Sequence, residues 1–292
     1  AHDVMNPAPI ILDTDIGTDI DDAYALALIL CSPELELVGV TIANNDTAAR
    51  AKLALKMLHE CGRDDVPVAV GRATDTGGSV NQAPWAEGYT ASAPIAQSAA
   101  DFLVEQVNAA PGEITIIPIG PFTNIGDALK RDPELGRKCD FVIMGGCVGW
   151  PEGATPKIKP EYNIVTDIPA AQAMLSCGAP LVMVPLDATY RVKLEAENRA
   201  RLLAAGTPLT DGLVGMLNCW PGQTPVLHDP LAVGVAIDET ICGMADLCLV
   251  CDDEGHTRPV EGEPNMRVAV TPHVGRFLML LMERLLGQTL GR

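Results

Sequence analysis

The segment Ile10-Ile-Leu-Asp-Thr-Asp-Ile-Gly-Thr-Asp-Ile-Asp-Asp22 decides how this chain reads. A short apolar run, Ile10–Leu12, ends in five carboxylates: Asp13, Asp15, Asp19, Asp21 and Asp22. An apolar stretch with helical character, Asp21–Cys31, follows at once. Strand, polar corner, helix is the opening of a βαβ unit. Ligands of open α/β sheets bind beyond the carboxyl ends of the strands, and these carboxylates fall there. Packed this closely they repel one another and push each other's pKa up. A hard cation with oxygen ligands, Ca²⁺ or Mg²⁺, removes that conflict. The candidate site starts here.

Further along, short apolar runs alternate with 3.6-residue patterns. The expected strands are Ile10–Leu12, Leu37–Ile42, Val66–Val70, Ile114–Ile119, Phe141–Met144 and Leu181–Pro185. Between them helices are expected over Asp21–Cys31, Thr47–Cys61, Ile95–Ala109, Thr123–Leu129 and Ile168–Ser176. Buried runs alternating with helices predict a single open, mostly parallel α/β sheet covered on both faces. Polar or Gly-rich corners follow several strands (Asn44-Asn-Asp, Gly120-Pro-Phe-Thr-Asn, Gly145-Gly-Cys, Asp187-Ala-Thr) and would line one crevice at the C-terminal strand edge. The last third predicts helices over Lys193–Leu203, Thr210–Met216 and Val274–Leu286, with a His228-Asp-Pro corner before the last. Gly71–Ala93 is the candidate for a mobile loop over the crevice. No repeat or long linker divides the chain, so residues 1–292 are read as one domain.

Composition narrows the function classes. Net charge is −18, from 38 acidic against 20 basic residues. A phosphate backbone needs a Lys/Arg footprint, so nucleic acid and anionic membrane are poor partners. No apolar run reaches the ~20 residues that span a bilayer. Nine scattered cysteines, an odd number, read as reduced thiols; Cys248 and Cys251 form a C-x-x-C without a partner pair and are expected in strands. The opening Ala1-His-Asp-Val-Met-Asn6 carries no signal-peptide pattern, and a cytoplasmic location is expected.

The acidic motif admits other readings. An EF-hand loop counted from Asp13 would need Gly and Glu where Thr18 and Tyr24 stand. A Mg²⁺-dependent phosphohydrolase with Asp13 as nucleophile also begins with a strand and D-x-D. That pattern expects Gly-Thr directly after the second Asp, where Ile16-Gly17 intervenes, and a phosphate-binding Lys at a later corner.

Asp13-Thr-Asp-Ile-Gly-Thr-Asp-Ile-Asp-Asp-Ala23 resembles the D-T-D-x-G-x-D-D-A signature of the nucleoside hydrolases, the inosine–uridine-preferring N-ribohydrolase family. Further likenesses come in the expected order. They are Asn45 after the second strand, Gly120-Pro-Phe-Thr-Asn-Ile125, Phe141-Val-Ile-Met-Gly-Gly146, Glu161-Tyr-Asn163 with Asp167 and Ala170-Ala171, Leu186-Asp-Ala-Thr189, and His228-Asp-Pro230. The resemblance implies a Rossmann-like fold and hydrolysis of ribonucleosides to ribose and free base. It implies Ca²⁺ held by Asp15, Asp22, the Thr123 carbonyl and Asp229, with Asp15 as general base. Asp21, Asn45, Glu161, Asn163 and Asp229 would grip the ribose, and His228 would protonate the departing base. A homodimer or homotetramer is implied as well. Trp85 and Trp220 are retained as candidate base contacts.

The chemistry is consistent with that assignment. N-glycoside hydrolysis needs an activated water and a stabilised oxocarbenium-like transition state, and acidic and amide oxygens around a ribose favour developing positive charge. The chain also departs from the pattern. Two residues are inserted between Gly17 and Asp21, and Ile16 stands where the signature has proline, leaving Asp19 either a helix cap or a ligand. Glu152–Lys157 lacks an Asn for the ribose 5′-hydroxyl, and Asn81–Gly88 stands where several members carry a His-Gly loop. A silent nucleoside- or sugar-binding protein on the same scaffold is the rival from another class.

Overall fold

The computed structural model describes residues 6–155 and 157–287; the stretch Ala1–Met5, part of the segment read above for a targeting signal, lies outside them. Strand β1 (Ala8–Thr14) leads into α1 (Asp21–Leu30), β2 (Leu35–Ile42), α2 (Thr47–Glu60) and β3 (Val68–Val70). The chain then returns through α3 (Ala99–Ala109) to β4 (Thr115–Pro118), α4 (Thr123–Arg131) and β5 (Asp140–Met144). Next come α5 (Tyr162–Val165), α6 (Ile168–Leu175), β6 (Leu181–Val184) and α7 (Leu186–Thr189). The last third supplies α8 (Ala196–Ala205), α9 (Pro208–Cys219), α10 (His228–Ile237), β7 (Cys242–Leu247), β8 (Leu249–Cys251), β9 (Thr257–Pro259), β10 (Met266–Pro272) and α11 (Val274–Gly287).

Eight strands form one open sheet in the order β3-β2-β1-β4-β5-β6-β10-β7, parallel except for edge strand β7, which runs antiparallel to β10. Side chains alternate along β1, so Ile10 and Leu12 enter the core under α1, α2, α9, α10 and α11, while Ile11 enters the one under α3, α4 and α6. From β1 the chain steps outward to β2 and β3, then comes back to β4 on β1's other side. That reversal opens a crevice between the carboxyl ends of β1 and β4, the usual ligand position in such sheets. The corner after Thr14 faces it.

Six expected strands are present with shifted ends, and the helix expected from Ile95 starts at Ala99 behind Ser98, whose hydroxyl accepts the Asp101 N–H. Apart from the strand expected at Cys248 and Cys251, strands β7 to β10 carry no signal read in the sequence. Strand β7 is a half-exposed edge strand carrying Gly243 and Asp246, so it shows no apolar run. The His228-Asp-Pro corner is the first turn of α10. Residues Asp229–Val235 are all buried, and a helix apolar on every side carries no stripe to read. Cys251 closes β8, whereas Cys248 sits just before it. The Gly71–Ala93 loop is pinned at several places. Fully buried Gln82 donates to the main-chain oxygens of Thr18 and Asp19, and Tyr89 reaches back to Leu55. Among the described residues no helix is long and apolar enough to cross a membrane.

Asp187 ties the crevice's far wall together. It is fully buried on α7, and its carboxylate accepts the N–H groups of Val148 (2.8 Å) and Trp150 (2.6 Å) after β5. Asp187→Ala orphans both donors and is expected to cost about 2–6 kcal/mol, each lost partner costing ~1–3 kcal/mol when buried. Urea unfolding checks this: the midpoint falls at constant slope, and an unchanged midpoint would refute the assignment.

Candidate active site

Four aspartates converge at the crevice from three elements. Asp15 follows β1, Asp21 and Asp22 open α1, and Asp229 lies in the first turn of α10. One oxygen each of Asp21, Asp22 and Asp229 falls within 4.8 Å of the others, and all three residues are buried. Local hydrogen bonds fix them: the Thr14 hydroxyl donates to Asp22 (2.5 Å), the Asp229 N–H to Asp21 (2.9 Å) and the Asn44 amide to Asp15 (2.9 Å). The acidic pair at the start of α1 also meets the positive end of that helix. Behind the corner, buried Arg50 donates to the main-chain oxygens of Asp15, Ile16 and Asn44 and to the Thr18 hydroxyl, bracing the loop. From the β4 side Gly120 approaches so closely that a Cβ would lie 2.8 Å from Asp15 Oδ1. Only glycine fits there.

Burial pushes the pKa of all four carboxyls up, and neighbouring carboxylates push those of Asp21, Asp22 and Asp229 further. Arg50 and the Asn44 amide work in the opposite direction on Asp15.

The four line a cavity of about 360 Å³ together with Glu161, Asn163, His228, Tyr162, Tyr190 and Lys159, a size suited to a small molecule. Glu161 caps α5, accepting N–H groups from Gly146 (3.0 Å), Asn163 (3.0 Å) and Ile164 (3.3 Å); burial nevertheless raises its pKa to about 7. The Asn163 amide donates to the main-chain oxygens of Ile119 and Met144, so its carbonyl remains for a ligand. His228 sits edge-on to Tyr190, ring centroids 5.1 Å apart; burial and then Lys159 lower its pKa to about 4. Asp19 also lines the cavity, its carboxylate accepting the Ile20 N–H rather than capping α1.

Several expected residues lie elsewhere. Asn45 faces away and donates to the main-chain oxygens of Gly77 and Gly78; its neighbour Asn44 reaches Asp15 and the Tyr162 hydroxyl instead. Both asparagines have positive φ (74° and 52°), so a one-residue difference reverses which side chain points inward. Trp85 lies over Gly212 and Gly215 of α9 with Lys56 Nζ 4.2 Å above its ring, a packing position away from the cavity. Trp220, which ends α9, adjoins the cavity only through Asp19. Tyr162 and Tyr190, not the tryptophans, line the cavity; one stands inside the Glu-Tyr-Asn triplet, the other directly after Leu186–Thr189. Thr123 is buried at the start of α4 with its hydroxyl on Asp167 (2.8 Å), so its side chain is turned from the site and only its main-chain carbonyl could serve as the expected ligand. Asp13 is fully buried behind the corner and accepts from Thr41 (2.6 Å) and Asn124 (2.8 Å).

The family model for inosine-uridine preferring nucleoside hydrolases matches residues 10–279. The chain belongs to the nucleoside hydrolase family. Among its relatives is a probable uridine nucleosidase 2 of Arabidopsis thaliana, 29% identical over 95% of this chain and 97% of that one. Another is a pyrimidine-specific ribonucleoside hydrolase, RihA, of Citrobacter koseri, 30% identical over 95% and 97%. Solved structures of similar shape include a plant nucleoside hydrolase, PpNRh1 (TM-score 0.85, 28% identity, 97% and 100% covered), and a purine-preferring ribonucleoside hydrolase from Gardnerella vaginalis (TM-score 0.82, 28%, 96% and 98%). The open sheet and the enzyme class expected from the sequence, an N-ribohydrolase, both stand.

Metal dependence is general in this family, and the donor set fits a metal ion. Asp21, Asp22 and Asp229 offer only oxygens, as hard divalent cations require, and each is a buried carboxyl whose pKa burial and nearby carboxylates raise. A second acidic group, Asp252, Glu254 and His256, is an ion-paired turn in which Arg258 already meets Asp252 (2.6 Å). Added Ca²⁺ is therefore expected to raise the thermal midpoint by several degrees and chelation to lower it, since a ligand that binds only the folded state stabilises it. Asp229→Ala should lose most Ca²⁺ affinity in titration calorimetry, and an unchanged affinity would remove Asp229 from the metal's ligands.

Proposed function

We propose that this nucleoside hydrolase cleaves the N-glycosidic bond of ribonucleosides to ribose and a free base, with Ca²⁺ as its metal. The observation that carries the reading is the meeting of four buried aspartates, Glu161, Asn163 and His228 on one cavity at the sheet's switch point. Asp15, Asp22, Asp229 and the Thr123 carbonyl would hold the ion. When bound, it supplies the positive charge that keeps these carboxyls ionised and polarises water and ribose hydroxyls.

The remaining steps belong to the chain's own groups. Asp15 accepts a proton as water adds to C1′ of the sugar. The C1′–N bond breaks, its electron pair leaves with the base, and the base takes a proton from solvent relayed through His228, which its lowered pKa leaves neutral at rest. Asp21, Asp229, Asn163 and Glu161 hold the ribose hydroxyls, and their oxygens favour the positive charge that grows on the ring. Asn44, and not the Asn45 expected to grip the ribose, reaches the site, where its amide orients Asp15. Tyr162 and Tyr190 face the base. The phosphohydrolase reading loses its nucleophile, because Asp13 is fully buried and away from the cavity. A homodimer or homotetramer in the cytoplasm belongs to the same reading, and nine free cysteines, five of them buried, fit a reducing compartment.

A reducing-sugar assay over inosine, uridine, adenosine, guanosine, cytidine and xanthosine, with and without chelator, tests the proposal. Ribose release is expected from at least one of them, and release of none sinks it. Asp15→Ala should lower kcat by about 10²–10⁴-fold with the fold retained, the usual worth of a general base. Deoxyribonucleosides should be rejected by about 10⁴-fold, since buried groups built for the 2′-hydroxyl would be left unpaired.

A further inference from the structure

His228 meets the cavity with one ring edge and α7 with the other. Its Nδ1 lies 2.6 Å from Thr189 Oγ1. Thr189 is fully buried and takes no part in lining the cavity. It ends α7, the turn that follows β6, so its hydroxyl is set by the sheet and not by His228's own helix. As a buried β-branched residue it has little χ1 freedom. Tyr190 closes against the imidazole at an interplanar angle of 74°. With Nδ1 engaged, Nε2 is the ring nitrogen left to address a ligand.

We infer that Thr189 is a positioning residue for His228, its hydroxyl fixing the imidazole so that Nε2 faces the scissile bond. What Nε2 does there rests on the reaction proposed above. A hydroxyl suits the task. Whichever of the two groups donates, the contact between Thr189 Oγ1 and Nδ1 holds the ring in place and leaves Nε2 toward the cavity. A carboxylate at this position would orient the ring equally well. It would add another negative charge beside Asp229. Threonine orients the ring without adding charge.

Thr189→Val removes the hydroxyl with little change of shape, and Thr189→Ser returns it. Two measurements on the full chain decide the matter. In protein labelled with ¹⁵N-histidine, five histidines are to be resolved, and His228 is identified by its loss in His228→Ala. Its Nδ1 resonance should move in Thr189→Val and return in Thr189→Ser; an unmoved resonance overturns the inference. In kinetics, Thr189→Val should lower kcat on the best nucleoside by about 10–100-fold with KM within about twofold, as misplaced catalytic groups do. A p-nitrophenyl riboside, whose leaving group needs no proton, should stay within about threefold of wild type, and Thr189→Val should add nothing in a His228→Ala background. Equal losses on both substrates would mark a merely structural role and overturn it as well. If the wild type releases ribose from no nucleoside, the reaction reading fails, and the resonance still decides whether Thr189 holds the ring.

Discussion

Mutual repulsion among Asp15, Asp21, Asp22 and Asp229 is the constraint around which this molecule is arranged. Each is buried, and neighbouring carboxylates raise the cost of ionising Asp21, Asp22 and Asp229. Left to itself a chain would keep such groups apart in water. Here the packing of α1 against α10 and the run of β1 into the sheet bring them together, and several neutral donors share the load: Thr14, Asn44 and the Asp229 N–H. A buried charge is tolerable when paired or coordinating a metal, and costly otherwise. The apolar bulk of α1 and α10, buried along nearly their whole lengths, offsets that cost.

The same crowding explains why so much of the surrounding structure is rigid. Arg50 is fully committed to main-chain oxygens and one hydroxyl of the corners after β1 and β2, so it braces the site from behind without entering the cavity. Gly120 lets the β4 turn close against Asp15, and Asp187 fixes the opposite wall through two N–H groups. A site whose charges repel would relax by moving apart if its supports were soft. Precision there depends on hydrogen bonds supplied from behind the reacting side chains.

Function follows from polarity arranged by position. One wall of the cavity is acidic oxygen, suited to a metal ion and a polyhydroxylated ring that gains positive charge. The other carries His228, Tyr190, Tyr162 and Lys159, suited to a flat, partly polar group that must leave with a proton. The division comes from topology. The end of β1, helix α1 and the first turn of α10 deliver the four aspartates, the segments after β5 and β6 deliver Lys159, Tyr162 and Tyr190, and α10 also carries His228.

Much of this was legible in the sequence because its signals are local. Buried parallel strands read as apolar runs, helices α2, α3 and α4 as periodic stripes, and the aspartates as a dense motif at a strand end. Strand β7 and helix α10 were not legible: an edge strand half open to solvent and a helix apolar on every face carry no period. Within the site, sequence alone supplied the carboxylates, Glu161, Asn163 and His228, since each belongs to a short, chemically distinctive motif. Only the tertiary structure chose Asn44 over Asn45 and the tyrosines over Trp85 and Trp220. It alone set Thr189 against His228 across 39 residues of chain. Those choices turn on backbone φ at one position and on which elements pack together. Neither is written in any local pattern, because side-chain direction at a corner is fixed by whatever the rest of the fold places beside it.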